Sequence, residues 1–363
     1  MKLAAAPRRA SATIGRMAVA APIPTTLPLG DLTLPSRVLV APMAGITDVP
    51  FRQISAEMGA GLVTTEMVAA EAVVRSKEAS VKLLDFPEGV RPVAAQLVGS
   101  DPSVMADAAQ VCVDRGAMAV DINLGCPVRK VVGIGNGAAL ARDVRATATV
   151  LSAMVQAVAP TPVTAKMRLG WDHQSINAPE LARALQDVGV RMVTVHGRTR
   201  CQAYEGSADW AEIARVKEAV DIPVVGSGDV RDADEVAARI ERGMVDAVVV
   251  ARGMLGNFHL VRQMAHRLST GETLPEQPFA ERVALTRRHL HMLIDYYGEG
   301  RALRIGRKYV AWTIKGCNGA ARLRSMVQDL DSQERLEELF DLALQAGERP
   351  EGWFAPVFTS GEG

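Results

Sequence analysis

Between Arg37 and about Ser269 the chain repeats one pattern. A short run of β-branched and other apolar residues ends in a small or polar group, and a stretch with apolar residues at helical spacing follows. The runs predict strands at 38–42, 62–66, 93–97, 119–123, 163–167, 192–195, 223–226 and 247–250. Between them, stretches such as 104–115, 145–158, 179–188, 210–219 and 232–242 predict amphipathic helices. Strands that are apolar almost throughout belong to a parallel sheet covered by helices. Eight such units favour closure into a (β/α)8 TIM barrel of the α/β class over an open doubly wound sheet. The open sheet would carry a Gly-rich fingerprint after its first strand, where Ala41-Pro42-Met43-Ala44-Gly45 stands instead. Beyond a Pro-containing linker at 271–278 the strand pattern stops, and 279–346 reads as helices alone. The expected organisation is a disordered extension (1–30), the barrel (31–270), a small all-helical C-terminal domain (279–346) and a tail (347–363).

Composition narrows this picture. Apolar residues make up 48% of the chain, enough for a large core, yet no apolar run approaches the roughly 18 residues of a membrane span. The first thirty residues are rich in Ala, Pro and Arg, which reads as a disordered tail or a presequence, with Met17 as an alternative start. Cys112, Cys126, Cys201 and Cys317 are scattered without metal-ligand spacing, as expected in a reducing, cytoplasmic setting. Formal net charge is zero, but 281–324 carries ten basic residues against three acidic ones, and an acidic stretch follows. Such asymmetry suits a polyanion partner, although a solvated helical face would look the same.

In a barrel of this kind the reactive groups emerge at the C-terminal strand ends. Those ends deliver Pro42, Met43 and Ala44, then Glu66, Gln96, Asn123, Lys166 with Arg168, and His196 with Arg198. The last two deliver Ser227, Gly228 and Asp229, and Ala251 with Arg252. Gly-rich turns after the seventh and eighth strands present backbone N–H groups to an anion, as a phosphate requires. A phosphate anchor, an amide at Gln96 and a cation at Lys166 around one mouth suit FMN, whose pyrimidine edge offers donors and acceptors. His196 has no second histidine or carboxylate cluster beside it, so no metal is expected. Cys126 lies between Gly125 and Pro127 on the loop after the fourth strand, and a Gly-rich stretch (131–140) follows that could close over a substrate. Cys112, inside a helix, reads as a small buried hydrophobe, whereas Cys126 suits a positioned acid.

Four strings make the pattern specific. They are Ala41-Pro42-Met43-Ala44-Gly45-Ile46-Thr47-Asp48, Asp121-Ile122-Asn123-Leu124-Gly125-Cys126-Pro127, Lys166-Met167-Arg168-Leu169-Gly170-Trp171 and His196-Gly197-Arg198-Thr199-Arg200. Together with Arg307-Lys308-Tyr309-Val310-Ala311-Trp312, they resemble the tRNA-dihydrouridine synthases, most closely the bacterial DusB-like branch, from about Leu34 to Phe340. The resemblance implies FMN-dependent reduction of the C5–C6 bond of D-loop uridines in tRNA, with NADPH as co-substrate. It places Pro42, Met43 and Ala44 along the flavin ring, Gln96 and Lys166 at its polar edge, and Ser227, Gly228, Asp229, Ala251 and Arg252 at its phosphate. Asn123 and His196 complete that cofactor set. The family usually has Asn where Ser227 stands and Gly where Ala251 stands, and both replacements keep the backbone N–H. Cys126 becomes the expected proton donor to C5. Arg168, Arg198, Thr199, Arg200 and Tyr204 are expected to hold the flipped nucleotide, and Arg304, Arg307 and Lys308 to bind tRNA. No protein partner is implied. Two other readings are an FMN barrel acting on a free pyrimidine, which needs no basic appendage, and a non-catalytic tRNA-binding protein.

Overall fold

A computed structural model describes residues 23–86 and 89–349. Met17 and most of the tail lie outside the described residues. Two short strands, β1 (Leu27–Leu29) and β2 (Leu32–Leu34), form an antiparallel hairpin about the Gly30-Asp31 turn. The part of the expected 1–30 extension from Leu27 onward is therefore ordered structure. Leu27, Leu29 and Leu34 are fully buried against Leu39, Leu62, Met192, Val225 and Val249, where they plug the N-terminal end of the barrel.

The eight expected strands are all present: β3 (Val38–Val40), β4 (Leu62–Ala69), β5 (Val93–Val98), β6 (Ala119–Leu124), β7 (Val163–Arg168), β8 (Met192–His196), β9 (Val224–Ser227) and β10 (Ala247–Val250). They pair in parallel in chain order, and β10 returns to β3 to close the ring. Strand β4 runs longer than expected, and its register against β5 shifts between Thr64 and Met67. Alternation along each strand sends one set of side chains into the ring and the other into the helical shell. Five shell helices begin behind an aspartate whose carboxylate accepts an N–H of the first turn: Asp48, Asp101, Asp143, Asp209 and Asp232. Such caps contribute about 1 kcal/mol each and turn the chain sharply from strand end to helix start.

The C-terminal domain holds the helices Phe279–Tyr297, Glu299–Thr313, Ala320–Gln328 and Gln333–Ala346. It packs onto the barrel through an aromatic cluster. Phe51 and Phe258 of the barrel meet His289 at 5.9 and 5.5 Å between ring centroids, and His289 lies 4.4 Å from Tyr309. Around it, Arg288 forks onto Glu57 at 2.5 and 2.7 Å, and Tyr296 donates to Asp85.

The basic block of this domain is less available than its composition suggests. Arg282 pairs with Glu348, Arg287 with Glu337 and Asp341, and Arg288 with Glu57. Arg307 donates to the Leu330 carbonyl. Glu337, Asp341 and Glu348 of the acidic stretch therefore neutralise part of the basic block across the fold, while Arg301, Arg304, Arg322 and Arg324 stay exposed.

His289 is fully buried, and neither ring nitrogen has a hydrogen-bond partner among the described residues. Burial, with Lys308 adding to it, pulls its pKa down to about 3. The unfolded chain therefore binds this proton more readily, and the stability His289 contributes at neutral pH is lost as pH falls below about 6.5. Between pH 7 and pH 5 this one group should cost about 2 kcal/mol. Thermal melts should show wild type losing more stability over that interval than His289→Phe, which removes the titrating ring.

Candidate active site at the barrel mouth

One chain of hydrogen bonds organises the inside of the barrel near its C-terminal rim. The Asp121 carboxylate on β6 is buried and accepts from Gln96 Nε2 of β5 at 2.7 Å and from Thr164 Oγ1 of β7 at 2.6 Å. These three residues lie side by side in register across β5, β6 and β7, so the contacts follow from the strand pairing. Gln96 Oε1 accepts from Asn123 Nδ2 at 2.9 Å, which fixes which way the Asn123 amide points. Asn123 Oδ1 then accepts from the backbone N–H of Gly125 (3.1 Å) and of Cys126 (2.8 Å). The loop bearing the thiol is thus hung from a barrel strand. Its far side is tied by Ala138 N donating to the Cys126 carbonyl at 3.3 Å.

Cations crowd the same mouth. Lys166 stands opposite Asn123 in register and lines a small cavity with Pro42, Thr64, Asp121 and Thr194. Burial and then the charge of Arg168 lower its pKa to about 8, against the pull of Asp121. Burial in turn raises Asp121 to about 6, opposed by its bonds from Gln96 and Thr164 and by Lys166. His196 is held neutral, first by burial and then by Arg168, Lys166, Arg198 and Arg252 around it. A site with four cations converging on one neutral imidazole favours an anionic ligand.

The turns after β9 and β10 complete the rim. Gly228 has φ +113°, and a Cβ there would come within 2.6 Å of Ala208 and 3.0 Å of His196. Only glycine lets the backbone pass so close to that ring. The Asp229 carboxylate is turned inward, onto Arg198 Nη2 at 2.9 Å and Ala208 N at 2.7 Å. It would therefore serve a phosphate through its backbone alone.

Several of the side chains expected to grip a substrate are bonded within the protein. Arg168 is buried and donates to the carbonyls of Gly125, Thr199 and Ala203. Arg198 is buried and holds the carbonyls of Glu205 and Gly206 as well as Asp229. Thr199 is fully buried. Tyr204, 46% exposed, is the outward member of the group, with the guanidinium of Arg252 4.3 Å from its ring centroid. Arg200 and Arg142 flank Trp171, each 4.6 Å from its ring centroid, beside a cavity of about 520 Å³ behind the Cys126 loop. Lys308 is not at the periphery: its Nζ donates to the Gly45 carbonyl, on the turn after β3.

The expected set missed Asp121 and Thr164. A carboxylate at an inward position of an otherwise apolar strand was the available signal. The loop after Cys126 carries a helical turn at Arg129–Val132, and Ile134 beyond it is 70% exposed.

Comparison with known proteins places this arrangement. The family model described as dihydrouridine synthase (Dus) matches residues 39–347. The chain is 40% identical over 309 residues to the tRNA-dihydrouridine synthase B of Pseudomonas aeruginosa, covering 84% of this chain and 92% of that protein. It is 38% identical over 325 residues to the protein of the same description from Xanthomonas axonopodis, covering 89% and 98%. Among solved structures, the old yellow enzyme homologue of Zymomonas mobilis matches with TM-score 0.51 and 14% identity, over 69% of this chain and 93% of that one. Histamine dehydrogenase from Rhizobium sp. 4-9 matches with TM-score 0.54 and 14% identity, over 74% and 50%. These two speak to the fold alone. The matched span runs from the first barrel strand into the last helix and includes the Asn123–Cys126 loop, and on that ground the chain belongs to the dihydrouridine synthase family.

Proposed function

We propose that this protein reduces the C5–C6 bond of D-loop uridines in tRNA to 5,6-dihydrouridine in the cytoplasm, with FMN as resident cofactor and NADPH as reductant. Family membership supports the reaction and the tRNA substrate. The observation that carries the mechanism is the suspension of Cys126 from Asn123 at the rim of a cation-lined barrel mouth.

The residues present fit FMN. Four cations about one neutral imidazole suit its phosphate and its pyrimidine edge. Ser227, Gly228, Asp229, Ala251 and Arg252 would hold the phosphate, the first four through backbone groups. Pro42, Met43 and Ala44 would line the ring. Gln96 uses one amide N–H on Asp121 and one carbonyl lone pair on Asn123, which leaves one of each for a ligand. Lys166 would place positive charge beside the pyrimidine edge. Bound there, FMN would supply the hydride that adds at C6 of the uracil.

The protein's part is positional and protonic. A uridine must leave its stack to enter the mouth, and the exposed ring of Tyr204 offers it an aromatic face. Charge that develops toward C5 requires a proton, and the Cys126 thiol donates it, with the S–H electrons remaining on sulfur. Asn123 keeps that thiol in place by holding two successive backbone N–H groups.

Mapping dihydrouridine in tRNA from a strain lacking this protein tests the reading. Loss at D-loop positions, restored by the gene, is expected, and an unchanged map contradicts it. The charge pairing described above makes a second prediction. Arg304→Ala should reduce the slope of log affinity for tRNA against log salt by about one, as loss of one phosphate contact does. Arg287→Ala should leave the slope unchanged, because Glu337 and Asp341 already occupy that guanidinium. Filter binding across a salt series distinguishes the two.

A further inference from the structure

The turn after β3 is gripped from two directions. The Gly45 N–H donates to Glu66 of β4, while the Gly45 carbonyl accepts from Lys308 Nζ. The next carbonyl, of Ile46, accepts from Tyr309 Oη at 3.0 Å. The turn is also tied internally, with Ile46 N and Thr47 N both bonded to the Met43 carbonyl at 3.0 Å. Its external anchors therefore come from a barrel strand on one side and from the helix Glu299–Thr313 of the C-terminal domain on the other.

We infer that Lys308 and Tyr309 are positioning residues for the cofactor: they set the turn Met43–Gly45 against the flavin ring, so that the helical domain completes the cofactor site. The inference rests on the assignment of FMN to this mouth. Gly45 has φ +71°, and the two peptide groups that flank it are fixed, the preceding one by an anion and the following one by a cation. Burial lowers the pKa of the Lys308 ammonium, and the nearby Asp48 and Glu66 oppose that shift only in part. Tyr309 is buried in the aromatic cluster, 5.5 Å from Trp312 and 4.4 Å from His289, which fixes where its hydroxyl can reach. A lysine on the exposed face of an RNA-binding helix would have no such partners. The neighbouring Arg304, which is exposed, shows the contrast one turn away.

The test uses full-length protein freed of cofactor and titrated with FMN, read by quenching of flavin fluorescence. Lys308→Met should weaken FMN binding about tenfold or more, the scale of one lost hydrogen bond from a charged donor. Its affinity for tRNA should stay within about twofold. Lys308→Arg should restore part of the FMN affinity, because it keeps a cationic donor near the Gly45 carbonyl. Tyr309→Phe, which preserves the ring packing, should weaken FMN in the same direction at an unchanged melting temperature. Unchanged FMN affinity in both Lys308→Met and Tyr309→Phe overturns the proposal, and weakened tRNA binding beside it would mark Lys308 as an RNA contact. Failure of the wild-type protein to bind FMN at all would instead overturn the cofactor assignment on which the proposal rests.

Discussion

An ionisable carboxylate inside a closed ring of parallel strands has to be satisfied, and the mouth of this barrel is organised around that need. Asp121 is buried, and its oxygens take Gln96 and Thr164 from the two neighbouring strands. Gln96, once committed, orients the Asn123 amide, and Asn123 fixes the backbone that carries Cys126. A residue buried several ångströms below the rim thereby determines where a thiol sits above it. Had the ring been open, water could have met the carboxylate and the chain of orientation would have had no fixed origin.

The same logic explains why the mouth tolerates so many cations. Arg168 and Arg198 are spent on carbonyls and on Asp229, so they stiffen the loops while still contributing positive potential. Lys166 and Arg252 add their charges beside His196, which burial and these cations keep neutral. The helical domain adds a second constraint. It is joined to the barrel through stacked rings and through Lys308 and Tyr309, so it reaches the turn after β3 as well as presenting its own exposed arginines.

Much of the architecture was legible in the sequence because buried parallel strands are short apolar runs with abrupt polar ends. All eight barrel strands fall where the pattern puts them, and the strand-end rule gathered Gln96, Asn123, Lys166 and His196 at one rim. The hairpin at Leu27–Leu34 escaped because three-residue strands with a Gly-Asp turn look like any loop until the barrel end they plug is known. The bonds of Arg168, Arg198 and Lys308 to backbone carbonyls are not legible in a sequence, which shows that a cation is present without showing which carbonyl it meets. The basic block misled in the same way: Glu337, Asp341 and Glu348 lie far from Arg282 and Arg287 in the chain and beside them in the fold.

In the proposed reaction Cys126 delivers a proton to the substrate from a position fixed by Asn123. The direct measurement is a single turnover with Cys126→Ala, its flavin reduced beforehand, mixed with tRNA lacking dihydrouridine while flavin absorbance and dihydrouridine are followed together. Reoxidation and product formation should both slow by about 10²–10⁴, the range a positioned general acid supplies. Reduction by NADPH and affinity for tRNA should remain as in wild type. Turnover at the wild-type rate would contradict the account.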